Sequence, residues 1–441
     1  MMFNKIKNFV NNSFLMENID NIAFLVLLLI LFSAITSSSE IMGGLALVFS
    51  FIVLFKKIFK GNIFSLNLCD YKKAIVVYFL IVTLSLFASS LFSLSFHGYI
   101  KTFIYVLFFF SVCEFFRFNK SKILLTILFI SLLMSYESFV AIVQNYSGVS
   151  EISGWQDMTN INPEQVVSRA YGTLKPYNPN LLAGYLLCGL SSFIFLILYF
   201  LNAQKKRIAL FFAILFLINL IAIIDTGCRG AYLGFLFFFP CLFLALLYFV
   251  NKKFGGLANI KKRYKNITLF GVVGVLFFIL TNPALIKRFE SIFALRADSS
   301  ISFRLNVYES VWKMFLDNPF LGIGVGNQNF REIYGLYMKS GFDALGSYCV
   351  PLEIAVESGV FALFAFVLFL FFVVKKCVKI ALNQKSLMNE KILALSIVLM
   401  ILATMGHGLF DTIWFRPQVQ LLFWVNIAML EGVCESKLVK Y

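Results

Sequence analysis

Charge is scarce in this 441-residue chain, at 14% of residues, where a soluble domain carries roughly a quarter. Set beside 60% apolar residues and 55 phenylalanines, that shortage excludes an ordinary soluble fold. The eight cysteines show no C-x-x-C spacing of the kind that zinc or redox motifs need. Only two histidines occur, His97 and His407. No metal and no cofactor is therefore expected. Internal repeats and low-complexity linkers are also lacking, so residues 1–441 read as a single membrane domain. The surplus of basic residues, a formal +16, does not mark a nucleic-acid binder, because the lysines recur in clusters between apolar spans.

Those spans are what the chain has in abundance. Apolar runs of about 17–25 residues match a hydrocarbon core of roughly 30 Å. Twelve are read, near 20–36, 41–55, 74–95, 99–116, 123–144, 179–201, 208–225, 229–250, 267–285, 349–374, 392–411 and 416–431. The first is expected to be retained, since Ser37-Ser38-Ser39-Glu40 leads straight into the next span. Lysine clusters fall in every second loop: Lys56 to Lys73, Lys205 to Arg207, Lys252 to Lys265, and Lys375 to Lys391. Such clusters mark cytoplasmic loops. Both termini are then cytoplasmic, in a multi-pass protein of the bacterial cytoplasmic (inner) membrane.

The two faces differ in kind as well as number. The lysine-rich loops hold 26 of the 38 basic residues, 23 of them lysine. The opposite loops hold 12, of which seven are arginine: Arg169, Arg229, Arg288, Arg296, Arg304, Arg331 and Arg416. Topology explains the lysines but not the arginines. The planar fork of arginine suits bidentate binding of phosphate or carboxylate, so the outer face reads as built for an anionic group.

Two outer loops are long, about 145–178 and 286–348, and long loops usually carry function. The first carries Trp155, Asp157, Glu164 and Arg169. In the second, residues 302–316 read as an amphipathic helix ended by Asn318-Pro319. Four stretches then carry candidate chemistry. Asp225-Thr226-Gly227-Cys228-Arg229-Gly230 turns the chain tightly and sets Arg229 at a helix start, where the dipole also favours an anion; a snorkelling arginine is the plainer alternative. Arg304 precedes Gly322-Ile323-Gly324-Val325-Gly326, whose backbone N–H groups at Gly324 and its neighbours would line a phosphate or simply pack as a turn. Glu353 and Glu357 share one helix face at the start of an apolar span, where carboxylates are costly and often functional. Asp411 and Arg416 fall in the last outer loop, with His407 one turn away and within hydrogen-bond reach of Asp411. Cys228 and Cys349 lie near the same face and read as two unrelated small residues more readily than as a disulfide.

In this order, Thr226-Gly227-Cys228-Arg229-Gly230-Ala231, Arg304 with Trp312, Asn318-Pro319-Phe320-Leu321-Gly322-Ile323-Gly324 and Glu357-Ser358-Gly359 resemble the O-antigen ligase and polymerase superfamily. The resemblance covers roughly residues 180–430. Asn178 through Tyr185 and His407 through Pro417 are similar to the branch labelled as inorganic-carbon (bicarbonate) transporters. The spans read as an all-α polytopic membrane protein of about 12 helices, and the resemblance implies that its fold is GT-C-like. It implies a metal-independent glycosyltransferase that moves a glycan from undecaprenyl pyrophosphate, a polyprenyl-pyrophosphate carrier, to a lipid or protein acceptor at the outer face. Arg229 and Arg304 match the arginines thought to grip the pyrophosphate. One departure matters: the histidine of the ligases is replaced here by the Tyr348-Cys349 pair, and no histidine occurs in the large outer loop.

The expected site is therefore Glu353 and Tyr348 as catalytic groups, with Asp343 a further substitute for the histidine. Arg229, Arg304, Arg416, Asp411, Gly324 and Glu357 are the expected substrate-binding residues. Two other readings stay open. Transport of bicarbonate or a small anion would rest on Glu114 or Glu137, the acids nearest to membrane burial. A non-catalytic lipid-linked glycan binder would have kept the pocket and lost the base.

Overall fold

Helices follow from the composition, because inside hydrocarbon every backbone N–H and C=O must be satisfied within the chain. The structure, a computed structural model, describes residues 13–60, 68–147, 169–254 and 299–434. The expected span 267–285, together with Trp155, Asp157, Glu164, Arg288 and Arg296, lies outside the described residues. A short N-terminal turn α1 (Phe14–Glu17) leads into α2 (Ile19–Thr36), α3 (Ser39–Lys60), α4 (Asp70–Ala88), α5 (Phe92–Phe118) and α6 (Lys122–Tyr146). Then come α7 (Pro179–Asn202), α8 (Lys206–Asp225) and α9 (Arg229–Phe254). A segment with α10 (Ser299–Asp317) and α11 (Asn327–Tyr334) precedes α12 (Val350–Leu382) and α13 (Met388–Gly408). A 3-10 turn (Ile413–Phe415), α14 (Pro417–Ala428) and α15 (Glu431–Cys434) complete the order. Among the described residues, 10 helices are long and apolar enough to cross a membrane, and the chain is an all-α polytopic membrane protein.

Burial sorts those helices. The membrane-length stretch of α7 is 89% buried and that of α13 is 83% buried, whereas α8 and α9 bury 28% and 17%. The centre of the bundle is thus α7 and α13, flanked by α9 and by α12 with α4. Phenylalanine and tryptophan fill it: Phe109, Phe369, Trp414 and Trp424 form one chain of ring contacts, with Phe109 and Trp424 centroids 4.9 Å apart.

The expected last span, 416–431, takes a different form. Helix α14 has 12 residues, about 18 Å at 1.5 Å per residue, and is too short to cross alone. Every residue from Pro417 to Ala428 is buried, packed by α5, α7 and α2. It is an internal core helix, a class that hydropathy does not separate from a span.

At the arginine-rich end, α10 and α11 carry a small core of their own, in which Val307, Val311, Met314, Phe330 and Tyr334 are fully covered. The expected helix at 302–316 is there, and it leaves Trp312 and Leu316 exposed at 53% and 56%. This segment is locked to the bundle through a break in α12. Gly359 has φ 82 and ψ 173, which ends the α-helical hydrogen bonding inside the span. Val360 N–H then donates to Pro319 O at 2.8 Å. In return Ile323 N–H donates to Val356 O and Gly324 N–H to Glu357 O, each at 2.9 Å. Only glycine fits at 359, because its φ is left-handed and a β-carbon there would overlap the Phe320 carbonyl.

Candidate functional site

Four elements meet at the arginine-rich end: the start of α7, the α8–α9 turn, the N-terminal half of α12 and the loop after α13. Asn178 caps α7 by accepting from Asn180 N–H at 2.7 Å, which holds the Asn180 side chain over the end of the helix. Asn180 is the hub. Its Nδ2 donates to Asp411 Oδ2 at 2.9 Å, and its Oδ1 accepts from Arg169 Nη2 at 2.6 Å. Arg169 also donates through Nε to Thr226 O at 2.8 Å. Asp411 Oδ1 accepts from Thr412 N–H at 2.8 Å. Loop 169–180, the α8–α9 turn and the 411–412 loop are therefore tied by one polar chain.

Arg304 enters this chain from α10. Its Nη2 stands 3.6 Å from Asp411 Oδ2, longer than the 2.7–3.2 Å of a formed N–H···O bond. The guanidinium carbon lies 5.7 Å from the centre of the Tyr348 ring, where cation–π attraction helps to hold it. Among the described residues its donors are thus placed by charge and stacking rather than consumed by hydrogen bonds. Tyr348 pays a backbone strain for that position, with φ 53 in a residue carrying a bulky side chain. Such conformations cost on the order of 1–3 kcal/mol and cluster at functional sites. Its carbonyl accepts from Tyr308 Oη at 3.1 Å. Burial pushes the Tyr348 phenol well above its ordinary value, with Asp411 and Glu353 adding to the rise against Arg304. At neutral pH Tyr348 is therefore a proton donor and not a base.

Glu353 is buried, 3% exposed, and accepts a short hydrogen bond from Ser347 N–H. Gly346 keeps the approach narrow: a β-carbon there would lie 3.0 Å from Glu353 Oε1 and 3.3 Å from Thr412 Oγ1. Glu357, one turn further, has different partners. Its Oε1 accepts from Gly326 N–H at 2.8 Å, and its backbone carbonyl takes Ser85 Oγ at 2.7 Å as well as Gly324 N–H. Both glycine N–H groups are thereby engaged within the chain. Gly324 and Glu357 form a packed joint between the outer segment and the bundle.

On the far side of the 413–415 turn, Lys101 Nζ donates to Phe415 O at 3.2 Å. Arg416, Glu357 and Glu40 are its charged neighbours. Arg416 thus belongs to a second cationic group, separated from Arg304 by the 411–416 loop. Arg229 begins α9 in a partly buried position. Arg331 is peripheral, paired with Asp343 at 2.6 Å with both side chains 53% exposed.

His407 does not bond Asp411. Its Nε2 faces Cys228 Sγ at 3.4 Å, and its Nδ1 is buried with no hydrogen-bond partner among the described residues. The physical reason is Gly230, which has no β-carbon and lets the imidazole lie against the start of α9. Cys228 and Cys349 are both free thiols. Burial pushes the Cys228 thiol up, but His407 and then Arg169 outweigh it and hold the thiol below its ordinary value. His97, by contrast, is exposed and turned back onto Ser93 O at 2.8 Å. The acids weighed for transport are both engaged: Glu114 pairs with Lys57 at 3.2 Å, and buried Glu137 accepts from Thr173 N–H at 3.0 Å and from the Thr173 hydroxyl. No group of three or more His, Cys, Asp or Glu side chains suited to a metal occurs among the described residues.

Lys101, Asn180 and the Cys228–His407 pair went unrecognised as site members in the sequence. Asn178-Pro179-Asn180 did carry a signal, since a capping asparagine followed by proline fixes where the next side chain points. Residues 212–367 match the family model described as O-antigen ligase. No curated protein matches the chain. The matched stretch holds the α8–α9 turn, Arg304, the glycine loop and the broken α12, and over these residues the membrane protein is similar to the O-antigen ligase family.

Proposed function

We propose that the arginine-rich end binds the pyrophosphate of a polyprenyl-linked glycan and transfers the glycan to an acceptor hydroxyl. The observation that carries this reading is Arg304: a cation held 3.6 Å from Asp411 and stacked on Tyr348, with its fork of donors not closed onto a carboxylate. Charge developing on a leaving pyrophosphate is best stabilised by such pre-placed donors. Arg229 borders the same end from the start of α9 and adds to the anion site, while Arg416, grouped with Lys101 across the 411–416 loop, supplies positive potential from further off. Glu353 is the proton acceptor for the attacking hydroxyl, and Tyr348 positions Arg304 and donates to the departing oxygen. On this reading the arginine-rich end faces away from the cytoplasm, and both termini are cytoplasmic.

The test is binding of undecaprenyl pyrophosphate to the full-length protein in nanodiscs. Saturable binding is expected, weakened about tenfold or more in Arg304→Ala, because a charge-assisted hydrogen bond contributes roughly 1.5–3 kcal/mol. Glu353→Gln should keep that binding and lose transfer. Absence of saturable binding by the wild-type chain would remove the proposal.

A further inference from the structure

A cavity lies at the lysine-rich end, outside the site described above and independent of it. It has a volume of about 240 Å³ and opens between α2, α3 and the end of α5. At roughly 30 Å³ per water, it holds about eight water volumes, the scale of a glycerophosphate with its first methylenes. Ile19, Ala23, Ile52 and Phe115 make an apolar wall, and Phe118, 62% exposed, forms the lip. Lys56, Lys57 and Lys60, from the last turns of α3, line the same cavity together with Asp20 and Glu114.

The charges decide what such a cavity would accept. Lys56 is closed onto both oxygens of Asp20, at 2.7 and 2.8 Å, and Lys57 reaches Glu114 at 3.2 Å. Lys60 Nζ donates to Met16 O at 3.0 Å, a neutral carbonyl that leaves its charge uncompensated among the described residues. The turn beside the lip adds Arg117 over the Phe118 ring at 5.5 Å and Lys122 over the Phe24 ring at 4.9 Å. A net positive rim over an apolar wall, at the end of a membrane helix bundle, fits a molecule that is anionic at one end and hydrocarbon at the other. Basic pockets between membrane helices recognise phospholipid headgroups in this way. The exposed side chains of Phe14 and Leu15 on α1, at 77% and 68%, extend the apolar surface beside the Met16 carbonyl.

We infer that this cavity is a binding site for one anionic diacyl phospholipid, its phosphate on Lys60 and its glycerol esters against Ile52 and Phe115. Full-length protein in detergent is titrated with phosphatidylglycerol or phosphatidylcholine, and retained lipids are counted by native mass spectrometry. The expected result is one phosphatidylglycerol retained about tenfold more tightly than phosphatidylcholine, the scale of one charge-assisted contact. Lys60→Gln removes the uncompensated cation, and Ile52→Phe fills a partly exposed wall position while leaving every lysine in place. Each should reduce phosphatidylglycerol retention to the phosphatidylcholine level with an unchanged melting temperature. Equal retention of both lipids by the wild type, or undiminished phosphatidylglycerol retention in both variants, overturns the site. Retention of free glycerol phosphate with the same dependence on Lys60 and Ile52 overturns the lipid assignment.

Discussion

The two ends of this bundle handle charge in opposite ways. At the lysine-rich end, Glu431 is saturated: it takes Lys72 at 2.9 Å, Lys376 at 3.4 Å and a short bond from Tyr71. Lys56 and Lys57 close onto Asp20 and Glu114. At the arginine-rich end, Asp411 divides its oxygens between Asn180 and Thr412 N–H and leaves Arg304 at 3.6 Å. A buried charge without a close partner is costly. On the proposed function, an arginine held short of its carboxylate, beside an aromatic face and a strained backbone, is the group that takes the ligand's anion. The contrast is between the Glu431 cluster, which ties α4, α12 and α15 together, and Arg304, which closes onto no carboxylate among the described residues.

The comparison can be broken most severely at Gly359, because the arginine-rich end exists only while α12 is broken there. Gly359→Ala places a β-carbon against the Phe320 carbonyl at φ 82. Left-handed strain and overpacking together should cost on the order of 3 kcal/mol or more. The expected outcome is poor yield of folded protein, or detachment of residues 318–326 detected as new proteolytic cleavage there. A fully folded variant with that segment protected would refute the lock.

Next in size is the contrast between the ends themselves. Glu431→Gln leaves Lys72 and Lys376 facing a neutral amide and should destabilise by about 3–5 kcal/mol, as broken buried pairs do. Arg304→Ala should change stability by less than about 1 kcal/mol, because its ion pair is long and partly solvated, while weakening pyrophosphate binding about tenfold. Thermal unfolding in one detergent compares the two directly. Equal losses of stability would mean that Arg304 is structural and the contrast false.

What was legible in the sequence follows from how local each signal is. A membrane helix must be apolar along its own length whatever it packs against, so α2 to α9, α12 and α13 could be read from hydropathy alone. The same rule misread 416–431, because a helix buried by protein is as apolar as one buried by lipid. Arg304 was legible as the strong cation of a short amphipathic helix. Lys101 was not, since one lysine inside an apolar run looks like span interior until Phe415 O and Glu357 are seen beside it. Gly324 looked like a phosphate loop because its spacing frees N–H groups, and only the break at Gly359 shows the carbonyl that takes its N–H. The His407–Cys228 contact joins residues far apart in the chain, and no spacing encodes it.

That contact supplies the smallest and sharpest test of the contrast, since it asks whether the arginine-rich end is electropositive where no ligand is needed to see it. Cys228 and Cys349 lie near the same end, yet their thiols move in opposite directions. Burial opposes ionisation at both. At Cys228 it is outweighed by His407 and Arg169, whereas at Cys349 burial dominates and raises the thiol. A lowered thiol is ionised at lower pH, and the thiolate is the reactive form. Alkylation followed against pH should therefore show a midpoint for Cys228 below the ordinary value of about 8.5 and one for Cys349 above it. Replacing His407 with asparagine removes the first-ranked opposing group and should move the Cys228 midpoint up towards that of Cys349, without moving the latter. Because Cys228 is only 3% exposed, its absolute rate reports local opening as well. The midpoint, unlike the rate, does not depend on that opening so long as the opening itself is insensitive to pH. If the two midpoints coincide, or if their order is reversed, then the positive potential of His407 and Arg169 does not reach the start of α9, and the electropositive reading of this end fails there.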